Sequence, residues 1–150
     1  MIADGPRNEI EQTKCAQTRA IIDSVDWKCD VIKLYSEKNR GCRESISYGL
    51  TWAFTQVDRA IIFEDDCLPN PSFFLFCEEL LEKYENDEKI MHIGGNFFQK
   101  NNRNFSNTNS YYFSEIPHIW GWATWSRAWN KYDSDLKIWP ETRDSKVLKS

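Results

Sequence analysis

Apolar positions recur along the chain in runs whose period switches between that of a helix and that of a strand. Met1-Ile2-Ala3 reads as the tail of a strand entering the turn signal Asp4-Gly5-Pro6. Asn8 then stands as a helix N-cap, with Glu11 three residues on as a capping-box partner. The helix that follows, to about Val25, has the apolar stripe Cys15, Thr18, Ile21, Ile22 and Val25. Residues 30–35 alternate in part and predict a strand. Past the loop Asn39-Arg40-Gly41, the positions Ile46, Gly49, Leu50, Ala53, Phe54 and Val57 fall at i, i+3, i+4, i+7, i+8 and i+11, one face of a helix. Ala60-Ile61-Ile62-Phe63 is a continuous apolar run that suits a strand buried on both faces. It stops at three successive carboxylates, Glu64-Asp65-Asp66.

Asn70-Pro71 starts the next helix, an N-cap followed by proline in the first turn. Its stripe is Phe73, Phe74, Phe76, Cys77, Leu80, Leu81 and Tyr84. Residues 89–93 predict a strand closed by Gly94-Gly95-Asn96. Residues 99–110, rich in Asn and Ser, read as a mobile loop, and 111–113 as a short strand. The second half of the Trp-rich stretch 117–129 looks helical, and the tail from Asp133 is polar and weakly patterned.

This alternation of strand and helix predicts an α/β fold, a three-layer α/β/α sandwich with a mainly parallel central sheet. The expected parallel strands are 31–35, 60–63 and 89–93, with 60–63 central. The expected core comprises Ile21, Ile22, Ile46, Leu50, Phe54, Ile61, Ile62, Phe63, Phe73, Phe76, Leu80 and Ile93. In such sheets ligands bind beyond the carboxyl ends of the strands. Asp4, Asn39-Arg40-Gly41, Glu64-Asp65-Asp66 and Gly95-Asn96 each follow a predicted strand and would gather along one edge.

Composition narrows the function classes. The 150 residues are the length of one domain, and 41% hydrophobic with 28% charged residues is ordinary globular usage. A net charge of -4 speaks against a groove that tracks nucleic-acid phosphates. No run approaches the ~20 apolar residues of a membrane span, and no secretory leader opens the chain. The five cysteines form no C-x-x-C pair or zinc spacing and read as free, mostly buried thiols in a reducing compartment. The two histidines lie apart, with no nucleophile motif around them. Neither a G-x-x-x-x-G-K-[ST] loop nor a G-x-G-x-x-G fingerprint occurs.

Three carboxylates at the end of an apolar strand repel one another. A hard divalent cation, Mn²⁺ or Mg²⁺, would resolve that conflict while bridging to substrate phosphates. A solvated acidic turn that charges the next helix N-terminus is the simpler alternative.

Ile61-Ile62-Phe63-Glu64-Asp65-Asp66, followed by Pro69-Asn70-Pro71-Ser72-Phe73-Phe74, resembles the metal-binding segment of GT-A glycosyltransferases. The likeness is to the group whose DXD-type motif reads E-D-D, including N-acetylglucosaminyltransferases that begin complex N-glycan branches and bacterial family-2-like relatives. Ala3-Asp4-Gly5-Pro6-Arg7 resembles the end of that fold's second strand, Asn39-Arg40-Gly41-Cys42 its N-x-G loop, and Ile119-Trp120-Gly121-Trp122-Ala123-Thr124-Trp125 its G-W segment. The resemblance spans roughly residues 2–135. It implies a metal-dependent, inverting transfer of a sugar from a nucleotide diphosphate, UDP in the first instance, to a hydroxyl of a glycan or other acceptor. By this resemblance Asp66 would ligate the metal, and Glu64 and Asp65 would contact the ribose and the donor sugar. Asp4 and Arg7 would face the uracil, Asn39 and Gly41 would line the nucleotide pocket, and Asn96, Gly121 and Trp122 would lie on the acceptor and donor-sugar side.

Other readings of the same residues stand beside these. Trp122, Trp125 and Trp129 fall at i, i+3 and i+7, which is also the core stripe of an aromatic helix, and Asn96 also suits a turn. Arg40 fits either a phosphate contact or a surface position. Nothing marks Asp133, Asp135 or another residue as the base an inverting enzyme needs, so no catalytic residue is assigned. The family's first strand would precede Met1 and its base would follow Ser150, so the expected domain is a partial one, incomplete at both ends. The alternative function is a non-catalytic remnant that binds a sugar nucleotide or serves as an interaction module. The expected location is the cytoplasm, at a membrane periphery or in solution, or the Golgi if an anchor preceded Met1.

Overall fold

A computed structural model describes residues 1–97 and 110–143. The mobile loop expected over 99–110 lies, apart from Ser110, outside the described residues. The chain divides into two compact units, Met1–Ala53 with Asp133–Ser150, and Phe54–Tyr132.

In the first unit, β1 (Ile2–Ala3) pairs in parallel with β2 (Leu34–Tyr35), Ile2 opposite Leu34 and Ala3 opposite Tyr35. Between them runs α1 (Glu9–Asp23), started as its sequence predicts by Asn8, whose side chain accepts the Glu11 N–H at 3.0 Å. The Glu11 carboxylate does not close the capping box on Asn8. It reaches one residue further back, to the Arg7 N–H at 2.9 Å and the Arg7 guanidinium.

The inner face of α1 differs from the expected stripe. Its half-buried positions are Glu11, Cys15, Arg19 and Ile22, whereas Ile21 is 71% exposed. The helix is rotated because Arg19 takes the inward place, where its guanidinium bonds backbone oxygens and lies 4.7 Å from the Tyr35 ring centroid. The next helix, α2 (Cys42–Ala53), buries Ser45, Gly49 and Leu50. Gly49 matters here because a Cβ at this position would stand 2.6 Å from the Ile2 Cγ2 atom, so its absence lets α2 lie against β1. Ile46 stays 40% exposed. The short α5 (Trp139–Arg143) belongs to this unit and buries no residue.

In the second unit, a three-stranded sheet has the order β3 (Arg59–Ile62), β5 (Trp122–Trp125), β4 (Ile93–Gly94). The central β5 is antiparallel to both neighbours, so β3 and β4 run in the same direction. The 60–63 run therefore forms an edge of this sheet and not the expected centre. The centre goes to β5 because Ala123, Thr124 and Trp125 are all buried, whereas β3 opens on an exposed Arg59.

Residues 122–125 are thus a strand where the sequence looked helical, and only α4 (Ser126–Trp129) continues as helix. The spacing of Trp122 and Trp125 imitates a helical stripe, but in a strand the two side chains leave on opposite faces. Trp125 turns into the core and its indole N–H donates to the Leu81 carbonyl at 3.0 Å. The core consists of Cys77, Leu80 and Leu81 of α3 (Ser72–Lys83) packed on Ile93, Ala123 and Trp125, with Ile61, Phe73 and Phe76 half-buried around them. Asn70 caps α3 as expected, its side chain accepting the Ser72 N–H at 3.0 Å while Pro71 already has helical angles. The 111–113 segment forms no strand. Of the cysteines only Cys77 is buried, while Cys29 and Cys42 are exposed. Among the described residues no helix is long and apolar enough to cross a membrane.

Candidate functional site

The predicted site residues fall in both units. In the first, the turn after β1 meets the loop after β2 around one carboxylate. Asp4 Oδ1 accepts the N–H groups of Gly5 at 2.8 Å and Arg40 at 2.9 Å. Its Oδ2 accepts the Gly41 N–H and the Asn39 amide, both at 3.0 Å. The Asn39 amide also donates to the Gly5 carbonyl. Gly5 is required for the approach, since a Cβ there would stand 2.4 Å from the Lys38 carbonyl carbon. Gly41 supplies a positive φ of 79° that few other residues adopt. Arg19 completes the assembly from α1, donating to the Asp4 carbonyl at 3.1 Å and the Ser36 carbonyl at 2.7 Å.

Asp4, Asn39 and Gly41 are therefore brought together, with Asp4 as the acceptor for all the others. Arg7 is held by Glu11, whose carboxylate raises the Arg7 pKa and is itself kept acidic by the same hydrogen bonds. The Arg40 guanidinium stacks 4.1 Å from the Tyr48 ring centroid.

In the second unit, the chain leaves β3 through Phe63, which packs against Phe73 and Phe74 at ring separations of 5.5 and 5.7 Å. It then turns at Glu64-Asp65-Asp66, closed by a hydrogen bond from the Cys67 N–H to the Glu64 carbonyl at 3.2 Å. All three carboxylates are exposed, and among the described residues no lysine or arginine pairs with any of them. Asp66 opens onto a cleft of about 1560 Å³ that Phe73, His92, Asn96, Trp120 and Gly121 also line.

The floor of this cleft continues the β4–β5 ladder, since the Gly95 N–H donates to the Gly121 carbonyl at 3.0 Å. The glycines permit the close packing. A Cβ on Gly95 would meet Phe73 at 2.5 Å, and Gly121 has a φ of 76° with Phe63 beneath it. Trp122 is not among the cleft's lining residues. Its ring stacks on His92 at 5.0 Å and 16°. His92 Nε2 donates to the His118 carbonyl at 3.0 Å, and burial holds the imidazole below its usual pKa. The Asn96 Oδ1 atom is buried and accepts no hydrogen bond from the described residues.

Sequence reasoning singled out Asp66, Asn96 and Gly121, which share this cleft, but passed over His92 and treated Trp120 only as one of several stacking candidates. The signal for Trp120 was its place just before Gly121. Among the described residues no three His, Cys, Asp or Glu side chains converge into a closed metal cage. The donors present suit the open kind of site, in which one or two carboxylates hold Mg²⁺ or Mn²⁺ and water and phosphate oxygens complete the shell. Of the three carboxylates Asp66 lines the cleft, with Glu64 and Asp65 beside it in sequence. No protein-family model, curated protein or solved structure matches the chain.

Proposed function

We propose that this chain is a GT-A-type glycosyltransferase domain, of three-layer α/β/α architecture, that uses Mn²⁺ or Mg²⁺ to bind a UDP-sugar and transfers the sugar to a hydroxyl acceptor with inversion. The observation that carries the reading is the acidic turn after β3: three exposed carboxylates without a cation partner among the described residues, one of them facing a large cleft. Uncompensated like charges at one turn favour a divalent cation, and a diphosphate leaving group needs one to neutralise its developing charge. When bound, the ion supplies that neutralisation, and Asp66 would hold it. Glu64 and Asp65 would face the ribose and donor sugar. The Asp4 turn with Arg7, Asn39 and Gly41 would meet the nucleotide. Because its carboxylate is saturated by four donors, Asp4 would act there by shaping the loop. Asn96, Gly121 and Trp122 would serve the sugar side. The cytoplasm is the proposed location.

The acids near the end of the described chain favour a second reading, a sugar-nucleotide-binding module without turnover. Asp133 accepts the Asp135 and Lys137 N–H groups, which keep it more acidic than usual, and Asp135 pairs with Arg43 at 3.0 Å. Neither is poised as a base. Titration calorimetry with UDP and Mn²⁺ tests what the two readings share. Asp66→Ala is expected to abolish the metal-dependent heat, and Glu82→Ala, an exposed control on α3, is expected to leave it unchanged. Binding that ignores a chelator, or equal binding by both variants, overturns the proposal. Release of UDP in the presence of an acceptor then separates enzyme from module.

A further inference from the structure

We propose that Tyr111 is a nucleophilic phenol, a site at which an activated acyl group entering the cleft becomes attached to the chain as an aryl ester. Lys83 is the last residue of α3 and Tyr84 follows it, so both stand at one helix end, and both reach Tyr111. The Lys83 ammonium donates to the Tyr111 hydroxyl oxygen at 2.8 Å, and the Tyr84 hydroxyl shares a hydrogen bond with the same oxygen at 2.8 Å. The two rings hold the ammonium in place, with centroids 5.3 and 5.4 Å from it. Two donors therefore converge on one phenol oxygen, the arrangement that stabilises a phenolate. Because the ammonium bonds Tyr111, it decides which of the two phenols gives up its proton, and Tyr84 keeps its own and turns it toward Tyr111. The hydrogen bonds from Lys83 and then Tyr84 accordingly hold Tyr111 below its usual pKa, against burial and the charge of Glu79. Tyr84 and Lys83 are each raised, first of all by their bonds to Tyr111.

Tyr111 is also within reach of a ligand, since it lines the cleft together with Phe76, Tyr84 and Phe113. These three rings stand edge-on to it, at centroid separations of 6.4, 6.4 and 5.9 Å. Phe113 is 66% exposed and gives this end of the cleft an apolar rim, which suits an apolar acyl group. In the reaction the Tyr111 oxygen attacks the acyl carbon and a new C–O bond forms. The bond from that carbon to its leaving group breaks, the leaving group takes the electron pair, and the Tyr111 proton passes to water. Nothing is oxidised or reduced. Exposure alone would select other residues, because Tyr132 is 54% and Tyr48 45% exposed, whereas Tyr111 is half-buried. The site stands apart from the transferase reading, which uses none of Lys83, Tyr84 and Tyr111.

The test treats the full chain at about pH 8 with limiting N-acetylimidazole and maps the acetyl groups by peptide mass spectrometry. Tyr111 is expected to be acetylated ahead of Tyr132 and Tyr48. Hydroxylamine should then remove the group, as it does from an aryl ester and does not from an amide on Lys83. At that pH a phenol is mostly protonated, so its rate follows the fraction present as phenolate. Lys83→Met replaces an exposed ammonium with an apolar chain, and it should slow Tyr111 about threefold or more while leaving Tyr132 as it was. Tyr84→Phe should slow Tyr111 as well. In protein carrying ¹³C at the tyrosine Cζ, the signal absent from Tyr111→Phe should titrate below the usual 10.0 and move upward in Lys83→Met, a readout independent of access. Labelling that follows exposure, with Tyr132 and Tyr48 ahead of Tyr111, overturns the proposal. So does a hydroxylamine-resistant acetyl on Lys83 in place of Tyr111, or a Tyr111 rate and titration that Lys83→Met leaves unchanged.

Discussion

Replacing Asp4 tests whether one carboxylate holds the two loops of the first unit together. Asp4→Ala removes the acceptor for the N–H groups of Gly5, Arg40 and Gly41 and for the Asn39 amide. Arg40 and Asn39 are exposed and recover water, whereas Gly5 is buried and recovers little. A hydrogen bond to a charged group contributes ~1.5–3 kcal/mol, so with two donors rehydrated the net loss should be about 2–4 kcal/mol. Asp4→Asn keeps one oxygen and sets an amide against the remaining donors. The tolerable orientation points that amide toward Asn39, whose own amide can flip to accept, at the cost of its bond to the Gly5 carbonyl. That variant should lose about 1–2 kcal/mol. Urea unfolding reads both, and a loss of 3 kcal/mol would move the midpoint by ~1–2 M for a typical small-protein slope. Amide exchange at Arg40 and Gly41 localises the effect, which should be faster in Asp4→Ala than at any residue of α3. An Asp4→Ala protein within about 0.5 kcal/mol of wild type, the range of an ordinary surface change, would refute the clasp.

Two further outcomes follow from buried groups in the second unit. Burial pushes the Cys77 thiol up to about 12, so iodoacetamide at mild alkaline pH should label the exposed Cys29 and Cys42 first and spare Cys77 until the protein unfolds, as read by peptide mass mapping. His92 is held below its usual value of 6.5 by burial, which outweighs the His118 carbonyl. The unfolded state therefore binds the proton first, stability is full above pH 6.5 and falls as the pH drops below it, and Tm measured from pH 8 to 5 should show that decline in the wild type and less of it in His92→Gln.

What the sequence disclosed was local. Asn8 and Asn70-Pro71 start their helices where their side-chain chemistry demands, because an N-cap acts on donors two or three residues away. Leu50, Leu80 and Ile93 are buried as their stripes require. The misreadings have physical causes of the opposite kind. Arg19 occupies the inner face of α1 because it satisfies carbonyls contributed by two other loops, information absent from the helix's own pattern. Ala123 and Thr124 lie in the central strand because β5 pairs its backbone with β3 on one side and β4 on the other, a long-range pairing that the local Trp spacing, which suggested a helix, does not report. At the candidate site, Asp66, Asn96 and Gly121, singled out from the sequence, line one cleft. The 59% exposure of Trp120 is a tertiary property that its local sequence pattern does not report.

The two acidic features that attracted notice in the sequence resolve into opposite physical states, and the contrast bears on function. Both follow a strand, and both resembled parts of a nucleotide-sugar site. Asp4 has its oxygens filled by four N–H donors, so it has little left to offer a ligand and its effect must come through the loop it fixes. The Glu64-Asp65-Asp66 turn is the reverse. It is exposed, receives the Cys67 thiol on Asp66 at only 3.8 Å, and pairs with no cation among the described residues. A carboxylate that is already satisfied stabilises a fold, whereas one that is not retains its full capacity to bind. The binding reading therefore stands on Asp66 and its cleft. A neutralised Asp66 should affect metal-dependent nucleotide binding with little change in stability, and a neutralised Asp4 should lower stability first and binding only as the loop loosens.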